Sequence, residues 1–187
     1  MKNNNVVAII GVKKDSKRLF KKNLRILGKY PLFWQSIKCF TKFLDSQNIY
    51  VATNSMYVKK FCNKKKINVI WRGPNKSYHE EQLFDVLKYA YSTLNFKPKY
   101  ILSVLANSPF HTDKNILDLI NLIKTDKYNE VRSFDKNGNE TGLFAFKSKV
   151  LDTQFQISSH LGMICANAKE IHYLKELDGL KKKLKIT

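Results

Sequence analysis

The stretch Ile9–Asn23, IIGVKKDSKRLFKKN, decides how the chain is read. It closes an apolar run, Val6–Ile10, with Gly11 and then places Lys13, Lys14, Lys17, Arg18, Lys21 and Lys22 within a dozen residues. A short apolar run without alternation reads as a strand buried on both faces, the kind found in parallel sheets. The basic segment after it has three readings: a solvated loop, a nucleic-acid patch, or a loop shaped to hold phosphates.

Similar apolar runs recur down the chain, at Ile49–Thr53, Val69–Trp71, Tyr100–Leu105 and Gly142–Phe146, with weaker ones near Val131–Phe134 and Met163–Ala166. Segments of helical spacing separate them. One starts at Pro31, a residue suited to a first helical turn, and aligns Phe33, Ile37, Phe40 and Leu44. A second follows Asn54, read as an N-cap, and carries Val58, Phe61 and Cys62. Glu80–Leu94 and Asp113–Ile123 repeat the pattern, and the lysine-rich C-terminal segment ends as an amphipathic helix. Strand alternating with helix predicts an α/β fold: a doubly wound, mostly parallel sheet formed by one domain over residues 1–187. Ligands of such sheets bind beyond the carboxyl ends of the strands. Three loops therefore form the expected rim: Gly11–Asn23, Arg72–His79 and Ala106–Thr112.

The composition supports one folded core: 187 residues, 43% of them hydrophobic. No apolar stretch approaches the ~18 residues of a membrane span, and the run before Gly11 is too short for a secretory signal. Cys39, Cys62 and Cys165 are odd in number and widely spaced, which suits free thiols in a reducing cytoplasm. The net charge of +19 suits anionic partners, although lysines spread over most segments are also what AT-rich codon usage produces. A nucleic-acid partner is not expected. The nine Tyr and twelve Phe follow core periods, and no helix-turn-helix, zinc-finger or RNA-recognition signature appears.

Two phosphate motifs are excluded in the opening loop. It lacks the second glycine and Lys-Ser/Thr of a P-loop, and Gly11 alone is not a dinucleotide fingerprint. HEEQL (His79–Leu83) is not a zinc-protease helix, because Leu83 stands where the second histidine belongs. Ammonium and backbone N–H groups converging on a triphosphate remain a workable design for the loop.

AIIGVKKDSKRLFKKNLRILGKYPLFWQSI resembles the N-terminal signature of the cytidylyltransferases that activate sialic and related nonulosonic acids. Lys13 takes the place of the signature's arginine, Ser16, Lys17, Lys22 and Asn23 match it, and Phe20 replaces its proline. Further landmarks follow in order: IYVATNS, INVIWRGP, YILSVLANSPFHTDKNI and TGLFAFKSKVL are similar to later strands of that family. The resemblance implies a Rossmann-like nucleotide-diphospho-sugar transferase fold. It implies transfer of CMP from CTP to a sugar, with release of pyrophosphate, for surface glycan synthesis. Carried over residue by residue, it assigns Lys13, Ser16, Lys17 and Lys22 to the phosphates, with Lys22 the catalytic cation. Asn23, Arg72, Asn107 and Ser108 fall to the base, ribose or sugar, and Mg²⁺ becomes the implied cofactor.

Three features depart from the family. Cys165 and Asn167 stand where its metal-binding Asp-x-Asp pair belongs, and neither suits Mg²⁺ as a carboxylate does. Lys13 lacks the bidentate fork of arginine, and Asp15 sets a carboxylate near the expected phosphates. The family's excursion that helps bind the sugar and build a dimer is reduced to a turn around Asn137–Gly138. Metal ligands and oligomeric state are therefore left open. So is the choice between a trimmed transferase and a homologue that binds partners without catalysis.

Overall fold

The computed structural model describes residues 5–16, 18–73, 82–152 and 160–183. The first apolar run forms β1 (Val6–Val12), reaching past Ile10. A small ribbon follows, β2 (Ile26–Leu27) with β3 (Tyr30–Pro31), and leads into α1 (Leu32–Ile37). Next come β4 (Ile49–Thr53), α2 (Met56–Lys64), β5 (Asn68–Trp71), α3 (Leu83–Ser92) and β6 (Tyr100–Val104). The chain continues through α4 (Asp113–Lys124), β7 (Glu130–Phe134), β8 (Glu140–Lys147), β9 (Leu161–Cys165) and α5 (Leu174–Lys183).

Seven strands form one sheet in the order β5-β4-β1-β6-β8-β7-β9. All adjacent pairs are parallel except those made by β8, which runs antiparallel to both β6 and β7. The expected mostly parallel, doubly wound α/β sheet is what forms. Alternation along β1 sends Val7 and Ile9 toward α3 on one face and Ala8, Ile10 and Val12 toward α1, α2 and α4 on the other. α5 adds a small cluster of its own, Leu177 packing with Ile171, Leu27 and Leu32.

Four helix boundaries differ from the sequence reading. The helix after Pro31 does not run to Leu44. It ends at Ile37 and resumes as a short 3₁₀ turn, Phe40–Lys42. At the break, Cys39 Sγ donates to Ser36 O at 2.9 Å and Thr41 Oγ1 to Lys38 O at 2.8 Å, side-chain bonds that compete with the helix. Pro31 is the N-cap rather than a residue of the first turn. The cap of α2 is Ser55, whose Oγ accepts from Val58 N, and not Asn54. α3 begins at Leu83, where Gln82 and Asp85 form a capping box; His79, Glu80 and Glu81 lie outside the described residues.

The expected turn between β7 and β8 is present. Asp135 Oδ1 accepts from the backbone N–H groups of Asn137 and Asn139, and Gly138 takes a φ of 81°. Gly142, just inside β8, has a φ of 79°, and a Cβ there would lie 3.0 Å from Leu105 Cδ1 and 3.1 Å from its Cβ. A Cβ on Gly138 meets nothing within 4 Å. Gly138→Ala is therefore expected to cost only the left-handed backbone penalty, ~1–2 kcal/mol. Gly142→Ala should cost clearly more, read as the difference in unfolding free energy by urea titration; equal losses would contradict this packing.

Candidate functional site

β1 lies at the point where the sheet's connections reverse. The chain builds outward through β4 to β5, then crosses back under α3 to place β6 on the other side of β1. Such a switch point leaves a crevice at the carboxyl ends of the strands. Here it holds a cavity of about 340 Å³, within the range of small-ligand sites. Its floor is the end of β1 at Gly11, where a Cβ would come within 3.0 Å of Val86 Cγ1; glycine lets α3 lie close. Leu83, Val86, Leu105 and Ala106 make an apolar wall.

The basic loop makes the opposite wall, and its own bonds hold it there. Lys14 N–H donates to Asn54 Oδ1 at 2.9 Å, and Asn23 Nδ2 donates to Lys13 O at 3.2 Å across the base of the loop. Lys21 adopts φ 49°, turning the chain into a 3₁₀ turn, Lys22–Leu24. This arrangement brings Lys13, Ser16, Arg18, Lys22 and Asn23 to the cavity, with Asp15 among them. Asn23 is buried, and its Oδ1 has no hydrogen-bond partner among the described residues.

The third wall comes from the segment between β9 and α5. Asn107, just beyond β6, holds it: Ile171 N–H donates to Asn107 O at 2.8 Å, and Asn107 Nδ2 donates to Ile171 O at 3.0 Å. Glu170 and His172 then border the cavity. Arg18 Nη1 lies 2.9 Å from His172 Nδ1. A guanidinium can only donate, so Nδ1 accepts, and the ring proton sits on Nε2, 3.2 Å from Glu170 Oε2. Glu176 fixes the turn by accepting from the N–H groups of His172 and Tyr173. Burial pushes the Lys22 ammonium below the ordinary lysine range, and Arg18 pushes the same way, while Glu170 and Glu176 oppose it.

Of the residues expected at the site, Lys13, Ser16, Lys22, Asn23 and Asn107 meet at this cavity; Lys17 lies outside the described residues. Arg72 and Ser108, expected at the base, ribose or sugar, do not line it. Arg72 is buried at the end of β5, its N–H donating to Thr53 O at 3.0 Å. Ser108 Oγ donates to Thr141 O at 2.5 Å and lies 3.1 Å from His111 Nε2. Glu170 and His172 were not legible as site residues, because only the docking of α5 brings them to β1.

Cys165 and Asn167, which stand where the family's metal-binding pair belongs, also lie away from the cavity. Cys165 and Asn167 are exposed, and Cys165 borders a depression beside α4 rather than the cavity. Among the described residues no cluster of three or more His, Cys, Asp or Glu side chains could hold a metal. Two carboxylates, Asp15 and Glu170, border the cavity.

A cation-lined cavity at the switch point of a doubly wound sheet defines the class of this α/β protein's site. The chain belongs to the cytidylyltransferase family, whose sequence model matches residues 7–170. It is 26% identical over 190 residues to the 3-deoxy-manno-octulosonate cytidylyltransferase of Rickettsia typhi (strain ATCC VR-144 / Wilmington), covering 97% of this chain and 75% of that one. It is 25% identical over 140 residues to the N-acylneuraminate cytidylyltransferase of Streptococcus agalactiae serotype III (strain NEM316). That match covers 74% of this chain but only 34% of the streptococcal protein. In fold, it is similar to a CMP:2-keto-3-deoxy-manno-octonic acid synthetase complexed with CTP, with a TM-score of 0.79 at 12% identity over 97% and 98% of the two chains. A glucose-1-phosphate thymidylyltransferase from Bacillus anthracis gives 0.73 at 12% identity over 95% and 94%. No helix among the described residues is long and apolar enough to cross a membrane.

Two measurements check this geometry. Glu170→Gln should lower the Lys22 pKa further and Arg18→Ala should raise it, read from the pH dependence of the lysine Cε resonance; a Lys22 value indifferent to both would separate these groups. Burial also holds His111 down at about 4, against an ordinary 6.5. The folded state then binds fewer protons than the unfolded one, so this contribution is complete above pH 6.5 and is lost as pH falls toward 4. Stability should drop by about 2 kcal/mol between pH 7 and 5 from this group. His111→Gln should remove that part of the slope, measured by denaturant titration at the two pH values.

Proposed function

We propose that the chain transfers CMP from CTP to a sugar acid of the sialic or octulosonic type. The sugar hydroxyl oxygen bonds to the α-phosphorus, the bond to the β-phosphate oxygen breaks, pyrophosphate leaves, and the hydroxyl proton is released. The observation that carries this reading is the meeting of Lys13, Ser16, Lys22 and Asn23 in one cavity at the end of β1.

Phosphoryl chemistry of this kind depends on positioning and charge neutralisation. Lys13, Ser16 and Lys17 hold the phosphates, with Arg18 as a further cation. Lys22 is the catalytic cation: partly desolvated, it faces the charge that develops on the leaving pyrophosphate with little water to screen it. Asn23 reads the base, its unpartnered Oδ1 accepting from the exocyclic amino group of cytosine, which uracil lacks. Asn107 orders the ribose side, while Arg72 and Ser108 fix the loops behind it. Glu170 and Asp15, which border the cavity, would hold Mg²⁺, and the ion would supply charge neutralisation of the triphosphate. The product is an activated sugar for surface glycan assembly.

Calorimetric titration with CTP and UTP in Mg²⁺ tests the reading. CTP should bind at least about tenfold more tightly than UTP, ~1.4 kcal/mol, and Asn23→Ala should erase that preference. Lys17→Ala and Lys22→Ala should each weaken CTP by a similar factor. Unchanged affinity in both lysine variants would overturn the assignment.

A further inference from the structure

The positive charge of the chain is unevenly placed. From Ser16 to His79 the sequence carries fifteen Lys and Arg against a single acid, Asp45, while the rest carries nineteen against fourteen. AT-rich codon usage adds lysines along a whole chain, but it gives no reason for carboxylates to vanish from about a third of it. The described residues of this stretch build the β2–β3 ribbon, α1, β4, α2 and the end strand β5, so the excess falls on one end of the sheet.

Its densest part is α2 with the residues just after it, MYVKKFCNKKK (Met56–Lys66), which holds five lysines and no acid. Val58, Phe61 and Cys62 pack into the core. The opposite face leaves Met56, Tyr57, Lys60 and Lys64 exposed, followed by Lys65 and Lys66. Met56 is 53% and Tyr57 48% exposed. The exposed Tyr30 of the ribbon extends the patch, since Phe61 lies 6.5 Å from both Tyr30 and Tyr57 between ring centres. Among the described residues none of Lys59, Lys60, Lys64, Lys65 and Lys66 pairs with a carboxylate. Unpaired like charges on one short helix repel each other, and exposed Met and Tyr add apolar surface to water. An anionic surface with an apolar layer beneath it offsets both costs.

Two observations favour a bilayer over a nucleic acid. All five cations are lysines, compact charges without the fork by which arginine grips single phosphates. The rings are also engaged already and leave little face for stacked bases. Phe61 packs edge-on against Phe33 at 5.3 Å and Tyr30 at 6.5 Å, and Lys65 Nζ lies 5.0 Å from the centre of the Tyr30 ring and 5.6 Å from that of Trp34. A lysine-rich helix face with Met and Tyr in its first turn matches the headgroup boundary, where charged tips stay in water and apolar bodies sink below them.

We propose that this face docks the chain onto an anionic phospholipid bilayer without spanning it. Lys59, Lys60, Lys64, Lys65 and Lys66 lie among the headgroups, and Met56 and Tyr57 enter the boundary beneath. None of these residues lines the cavity at the end of β1, so the docking face is independent of the transferase reading.

Flotation of the full chain with vesicles tests this, using phosphatidylcholine alone and phosphatidylcholine with about 30% phosphatidylserine at about 0.1 M salt. The chain should float with the mixed vesicles only. Lys60→Gln, Lys64→Gln and Lys66→Gln combined should weaken that binding at least about tenfold. Lys124→Gln, Lys127→Gln and Lys136→Gln combined remove the same charge from other exposed positions and should leave it within about twofold. All six lysines are exposed and make no ion pair among the described residues, so both variants should keep the parent Tm. Met56→Ser with Tyr57→Ser should also weaken binding, with the charge unchanged. Equal losses in the two lysine variants would overturn the proposal in favour of net charge alone, and so would failure to float with the mixed vesicles. A single-stranded oligonucleotide bound more tightly than those vesicles, and lost only in the α2 lysine variant, would overturn it in favour of a nucleic-acid surface.

Discussion

The parallel placement of β1 between β4 and β6 is the constraint on which the site depends. Parallel neighbours on both sides require crossover connections, and these leave β1 in opposite directions around the sheet. The carboxyl end of β1 is thus a place where the covering elements part. The apolar alternation of Val7–Val12 holds the strand between two cores, while Gly11 admits α3 to the edge of the opening. Lys13 and Lys14 at the start of the loop are then held in place, because Asn23 and Asn54 tie the loop back to them.

The cavity needs a second anchor at its far side. The reciprocal bonds between Asn107 and Ile171 join the end of β6 to the approach of α5. Packing of Leu177 and Ile171 against Leu27 and Leu32 supports them from below. Through this clamp the Arg18–His172–Glu170 chain closes the cavity between two segments that lie 154 residues apart at its ends. A carboxylate next to a partly buried lysine keeps the site from being a simple cation patch. It limits the loss of the Lys22 charge that burial alone would bring.

Much of this fold could be read from the residues. Val6–Ile10, Ile49–Thr53 and Tyr100–Leu105 announced themselves as strands because parallel strands buried on both faces leave little room for polar residues. Lys13, Ser16, Lys22 and Asn23 were legible as a site because one loop carries them all. Where side-chain bonds compete with the backbone, legibility failed: the helical spacing Phe33–Ile37–Phe40 persists across a break set by Cys39 and Thr41. It failed again for Glu170 and His172, whose role depends on long-range docking that no local pattern encodes. EVRSF read only as a weak strand, since its charged residues gave no sign that α3 and β8 would enclose them. Cys165 and Asn167 show the converse limit. Their order in the chain matches the family's metal-binding pair without its carboxylates, and their exposure takes them away from the cavity that Glu170 borders.

Under the function proposed above, the chain would do without the family's carboxylate pair, with Lys22 supplying the fixed charge at the phosphates. That is the central claim, and a crystal structure of the chain grown with CTP and Mg²⁺ tests it most directly. The account predicts triphosphate density against Lys13 and Lys22, the base against Asn23, and a metal between phosphate oxygens and Glu170 or Asp15. A cavity left without nucleotide at saturating CTP, or CTP bound at a distance from the end of β1, would contradict it.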